Sequence, residues 1–132
     1  MQADLGDAPA AASLIAEVLD LTRSGEFRLV EAEAVEGMAW VSGATGDAAR
    51  AARMLGAAEA MREATETGMP PSRRRRLEAT EASARTALGA DAFAAAAAAG
   101  RALGREAAAA EALAVAREFA APGNCRPSAL SR

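Results

Sequence analysis

Gly46-Asp47-Ala48-Ala49-Arg50-Ala51-Ala52-Arg53-Met54-Leu55-Gly56-Ala57-Ala58-Glu59-Ala60-Met61-Arg62-Glu63 is the stretch that decides the fold. Apart from Gly56, every residue after Asp47 is Ala, Arg, Met, Leu or Glu, the types with the highest helix propensity. The preceding turn, Gly43-Ala44-Thr45-Gly46, delivers Asp47 as a strong N-cap, so a helix is predicted from about Ala48 to Thr67. Within it Ala51, Leu55 and Ala58 share one face, because residues three and four apart are neighbours on a helix surface.

The same grammar extends in both directions. Upstream, a helix is expected over Glu26 to Gly43, using Leu29, Val30, Ala34, Val35, Met38 and Val41. Before it another runs from about Pro9 to Ser24, with Asp7 or Ala8 at its cap, Pro9 in the first turn and Gly25 ending it. Its apolar stripe is Leu14, Ile15, Val18, Leu19 and Leu21. Downstream, Gly68-Met69-Pro70-Pro71 is the clearest break, since two prolines cannot continue a helix. Ser72 then caps a fourth helix, Arg73 to Leu88, stopped by Gly89. A short fifth covers Asp91 to Ala99, and a sixth runs from Arg105 to Phe119 with Gly104 at its cap. The expectation is an all-α fold of about six helices in antiparallel hairpins, either a tetratricopeptide-like α-solenoid fragment or a small helical bundle. Residues 1–120 form a helical-repeat domain, and 121–132 read as a disordered C-terminal tail or linker.

Composition limits what such a fold can do. Of 132 residues 41 are alanine, and the larger apolar side chains are few, so the core is thin and stability is expected to be marginal or to rely on neighbouring domains. All 15 cations are arginine; lysine, histidine and tyrosine are absent and there is a single cysteine. Without lysine there is no Schiff base and no phosphate loop of the Walker type. Without histidine the usual nucleophile–base dyads and imidazole metal ligands are missing, and one thiol builds neither a zinc cluster nor an intramolecular disulfide. No catalytic residue, cofactor or metal is expected. A net charge of −3 supplies no strong field for nucleic acid or membrane, and Met1 to Asp7 carries two acids and no cation where a secretory signal needs a basic start. A soluble cytoplasmic protein follows, with Cys125 an inert reduced thiol. The all-arginine, alanine-heavy usage also fits a GC-rich coding sequence.

Val35 to Ala58 matches part of the tetratricopeptide pattern, with Met38 and Ala39 at the large and small positions of the first helix and Gly46-Asp47 at the turn. Val35 stands where Trp is usual and Ser42 where an aromatic is usual, and the terminal proline is delayed to Pro70. On these residues alone a repeat-like hairpin and an ordinary antiparallel pair are equally good readings.

The stretch quoted above resembles the GDxxRAARLLGAAEALRE segment of the C-terminal helical-repeat region of bacterial LuxR-type and related signal-transduction ATPase regulators. Met69-Pro70-Pro71 and the arginine-rich helix after it are similar to that region's LPPxERxRYE. Leu88-Gly89-Ala90-Asp91-Ala92-Phe93 and Gly100-Arg101-Ala102-Leu103 are similar to its LGExxFxxAWxxGRALSLEEAV ending. The resemblance covers about Gly46 to Ala116. The family's tryptophan falls within Ala94 to Ala99 and its serine cap at Gly104, which implies a diverged or loosely packed copy. Pro127 to Arg132 is similar to the linker that opens a helix-turn-helix domain in such regulators. The resemblance implies a repeat arm separated from an ATPase domain and a DNA-binding domain, with those domains as partners in one polypeptide.

Three features are candidate sites. Arg73-Arg74-Arg75-Arg76 reads as a solvated face, with contact to an acidic partner as the alternative; it opposes the helix dipole, lacks interleaved aromatics, and has Glu78 and Glu81 available to pair with Arg74 and with Arg85 or Arg76. Trp40 reads as core, or else as an anchor on a binding face, with Met54 and Met61 as neighbours. Glu31, Glu33 and Glu36 form an acidic edge on the second helix, and Glu59, Arg62, Glu63 and Glu66 a mixed one on the third, at spacings usual for solvated faces. Taken together, Glu36, Trp40, Arg73, Arg74 and Arg76 are the candidate binding residues. The expected function is a non-catalytic regulatory or interaction module that binds a protein, peptide or small-molecule inducer through a face of the second and third helices. No direct contact with nucleic acid or membrane is expected. The alternative is a purely structural capping or oligomerisation segment, with self-association as its signature.

Overall fold

The structure is a computed structural model that describes residues 8–22, 26–65 and 67–120. Helix-forming residues between glycine and proline breaks give α1 (Ala8–Leu21), α2 (Arg28–Ala44), α3 (Ala48–Thr65), α4 (Pro71–Leu88), α5 (Ala90–Arg101) and α6 (Arg105–Ala120), with no strand among the described residues. No described helix is long and apolar enough to cross a membrane. The expected end of the first helix at Ser24-Gly25, the tail from Ala121 and Cys125 lie outside the described residues.

Asp47 caps α3 as its position implies, its carboxylate accepting a hydrogen bond from the Arg50 amide at 3.1 Å. The cap of α4 differs from expectation. Pro71 takes the first helical position behind Pro70, so Ser72 already lies inside the helix. A proline there loses nothing, because the first-turn amides have no intrahelical acceptor. Gly89, at φ 89°, serves both as the end of α4 and the start of α5, a left-handed conformation that a side chain disfavours.

The centre of the fold is α3, which lies between α2 on one side and α5 on the other and also meets α4 and α6. The α2–α3 seam uses Val35, Met38, Ala39 and Val41 against Ala51, Met54, Ala57, Ala58 and Met61, nearly all fully buried. Burying each of the larger side chains contributes about 1.5–3 kcal/mol. The chain then turns back: α6 packs chiefly on α1 and touches α2, so Ala108, Ala112, Val115 and Ala116 join the same core as Ala12 and Leu19. A purely sequential stack of hairpins would not bring α6 to α1, and in this respect the six helices form a bundle.

The alanine run of α5 has a specific use. A Cβ built on Gly56 would overlap the carbonyl of Ala97, and one built on Gly100 would overlap the carbonyl of Arg53. At this crossing α3 and α5 meet backbone to backbone, which only glycine permits. Ala96 and Ala97 line the contact while Ala94, Ala95, Ala98 and Ala99 face outward, and α5 extends past the expected end at Ala99 to include Gly100 and Arg101. Here the helix is tightly rather than loosely packed.

The stripe expected on α1 is only partly covered. Leu19 is buried and Ile15 and Val18 are half-buried, but Leu14 is 64% and Leu21 77% exposed. Val30, expected in the core of α2, is 42% exposed, and Phe27, three residues earlier, is 53% exposed. Both α2 and α6 approach α1 from the side of Ala8, Ala12 and Leu19, leaving the opposite flank open.

Candidate functional site

Glu36 and Trp40 lie one turn apart on α2, Arg73 and Arg76 one turn apart on α4, and the two helices meet rung by rung. In the first rung, Glu36 Oε1 accepts hydrogen bonds from Arg73 Nε at 2.7 Å and from Arg62 Nη2 at 2.9 Å, while Oε2 accepts from Arg62 Nε at 2.6 Å. In the second, the Arg76 guanidinium sits 5.3 Å from the centroid of the Trp40 ring. In the third, the Thr80 methyl packs against Gly43. Numbers rise together along both helices, so α2 and α4 run parallel.

The Glu36 node is closed. Arg62 Nη1 donates to the Gly68 carbonyl at 3.2 Å and Arg73 Nη2 to the Glu33 carbonyl at 3.0 Å, tying in the turn after α3. The hydrogen bond to Glu36 raises the Arg62 pKa above its already high value, against the opposing effect of burial. A carboxylate saturated by guanidinium donors is a fastener rather than a general acid or base.

Beside this node a cleft of about 660 Å³ opens between α3, α4 and α5. It exists because α4 buries only Thr80 and Ala84, so the rest of its inner face stands off α3. Leu55, Leu77, Phe93 and Ala97 give the cleft an apolar lining; Glu59, Glu63, Glu78, Glu81, Arg74 and Arg85 add charge. The Arg85 guanidinium lies 4.3 Å from the Phe93 centroid and donates to Glu81 at 2.6 Å. From α5, Arg101 donates to Glu59 at 2.8 Å and Glu63 at 2.9 Å, and that hydrogen bond lowers the Glu63 pKa. Glu78 and Arg74, also in the lining, have no ion-pair partner among the described residues. The volume falls within the range of small-molecule sites.

Of the five candidate residues, Glu36 and Arg74 line the cleft, whereas Trp40, Arg73 and Arg76 fasten α4 to α2. The arginine run is therefore divided: Arg74 and Arg75 are solvated, as a charged face should be, while Arg73 and Arg76 turn to α2. Trp40 is half-buried against the main core. The acidic edge of α2, expected in solvent, lies largely inside: Glu31 and Glu36 are 1% and 2% exposed. Burial is tolerable because each carboxylate meets guanidinium donors, Glu31 from Arg105 at 2.9 Å. Leu77, Glu81, Arg85 and Phe93 carry the cleft and were not singled out as a site. Their one local signal is Phe93, the only large side chain in the alanine run of α5.

No group of three or more carboxylates or thiols that could hold a metal ion occurs among the described residues. No protein-family model matches the chain, and no curated protein or solved structure matches it.

Proposed function

We propose that this chain is a non-catalytic regulatory module, the helical-repeat arm of a bacterial LuxR-type transcriptional regulator, and that it binds an inducer or a partner segment in the α3–α4–α5 cleft. The cleft itself carries the reading: an apolar lining with placed charges, under a helix that buries only Thr80 and Ala84, is the form of a binding site with a movable wall. An occupant would touch α4, and α4 reaches α2 through Glu36–Arg73 and Trp40–Arg76, so occupancy has a route to the rest of the bundle. With Arg73 and Arg76 engaged in this way, the arginine run is not free to track a phosphate backbone. In this reading the arm works in the cytoplasm beside the other domains of its polypeptide. The protein supplies its own reporter, since Trp40 is the only tryptophan. Titration with a panel of amphiphiles and peptides should give a saturable change in Trp40 emission that Leu77→Glu abolishes and Leu14→Glu leaves intact, with helicity unchanged by circular dichroism. A panel without any saturable response would overturn the reading.

A second reading, a structural capping or oligomerisation segment, is favoured by the exposed Leu14, Leu21, Phe27 and Val30. Sedimentation equilibrium separates the two: a mass that rises with concentration in the native chain and not in a Leu14→Gln, Leu21→Gln variant supports oligomerisation.

A further inference from the structure

The cleft already holds a cation, and it is the protein's own. The Arg85 guanidinium lies over the Phe93 ring at 4.3 Å and is held by Glu81 at 2.6 Å, an arrangement of aromatic face and carboxylate that selects guanidinium and ammonium groups. Its grip is slight, because both side chains of the Arg85–Glu81 pair are 47% exposed and the two residues are neighbours on one helix. Most of the lining carboxylates are already met, Glu36 by Arg62 and Arg73 and Glu59 and Glu63 by Arg101. Glu81, and Glu78, which has no ion-pair partner among the described residues, are the two acids left to meet an incoming cation. Leu55 and Leu77 offer apolar surface within the same cleft, whose volume suits one small molecule rather than a docked domain.

Building on the proposed binding role of this cleft, we propose that its ligand is a small amphipathic organic cation. Its guanidinium or ammonium head displaces Arg85 from between Phe93 and Glu81, and its apolar body rests on Leu55 and Leu77. Arg85 thus acts as a built-in competitor that keeps the aromatic face covered until a better-anchored cation arrives. Displacement frees the α4 side chain into water and changes the load on the helix that Arg73 and Arg76 hold to α2.

The test uses the full chain and three probes of one chain length, hexylguanidinium, hexanoate and hexanol, with calorimetry and Trp40 emission as readouts. Hexylguanidinium should bind saturably and roughly tenfold tighter than hexanoate, the order expected for a partly desolvated cation–π contact with a flanking carboxylate. Arg85→Ala should tighten hexylguanidinium binding several-fold by removing the competitor. Glu81→Gln made on top of Arg85→Ala, where no internal competitor remains to be loosened, should weaken it by about the same factor. Phe93→Leu should weaken it too, with circular dichroism reporting whether that buried site still folds. Equal affinity for hexanol and hexylguanidinium, or indifference to Arg85→Ala and to the Glu81→Gln added to it, overturns the cation assignment while leaving the cleft as a binding site. Hexylguanidinium binding that survives Leu77→Arg, which sets a like charge in the cleft, would place the probe elsewhere and overturn the cleft reading itself.

Discussion

Glu36 and Arg73, 37 residues apart in the chain, meet at 2.7 Å, and the carboxylate that Arg73 shares with Arg62 fastens α4 to the rest of the bundle. Few apolar contacts duplicate this bond, since α4 buries only Thr80 and Ala84. Removing the carboxylate leaves Arg62, whose side chain is 10% exposed, with only the more distant Glu33 carboxylate at 3.7 Å. Glu36→Ala is therefore expected to cost about 3 kcal/mol, the range for breaking one side of a buried pair. Arg73→Ala, which removes a 30% exposed partner and leaves Glu36 paired with Arg62, should cost nearer ~1 kcal/mol. Urea denaturation of the two variants measures both values, and their order is the decisive outcome.

Gly56 and Gly100 set a second requirement, that α3 and α5 cross without side chains between them. Alanine has the better helix propensity by about 1 kcal/mol, so on local grounds either Gly→Ala change should stabilise. The opposite is expected, because the new methyl meets backbone carbonyls that cannot rotate away and the helices must separate along Ala96 and Ala97. Net destabilisation of about 2 kcal/mol or more should result from each, the upper range for overpacking. Gly68→Ala is the control, since a methyl there meets nothing within 4 Å. Comparison of the three melting temperatures decides the matter.

These two sites mark where sequence reading stops. Asp47, Gly89 and Pro70-Pro71 act through bonds and torsions within a few residues, so the six helices and their breaks are legible from local chemistry. The burial of Glu31 and Glu36 is not, because the guanidiniums that make it tolerable come from 74 and 26 residues away. Gly56 looks like an ordinary weak point inside a helix until Gly100 is seen opposite. Leu14 and Leu21 fall on an apolar stripe by periodicity, but periodicity reports a face and not whether another helix covers it. The candidate residues Glu36, Trp40, Arg73 and Arg76 do come together, as a fastening between α2 and α4, whereas the cleft depends on Leu77, Arg85 and Phe93, brought together only by packing.

Ser42 is a place where the native sequence is not optimal. Its hydroxyl is fully buried on α2 and has no hydrogen-bond partner. Folding therefore strips it of water without replacing the bond, a cost of about 1–3 kcal/mol against the small packing loss of deleting one oxygen. Ser42→Ala should raise stability by about 1 kcal/mol. An unchanged or lower denaturation midpoint would show that the hydroxyl has found an acceptor.

Acid sensitivity should report the α3–α5 ion pairs. Arg101 lowers the pKa of Glu63 below its usual value of 4.5, mainly through their hydrogen bond, and so the folded state binds this proton less readily than the unfolded chain. The sign follows: the stabilisation is present above the unfolded pKa and is lost as pH falls through the folded one. Glu63 is exposed, so the effect is small and fades with added salt. In low salt, Glu63→Gln should lower the denaturation midpoint at about pH 6 and leave it close to that of the native chain well below pH 4, where both side chains are neutral. Arg101→Ala should remove the same pH-dependent component from the other side, and a slope that persists in both variants would assign the acid response to other carboxylates.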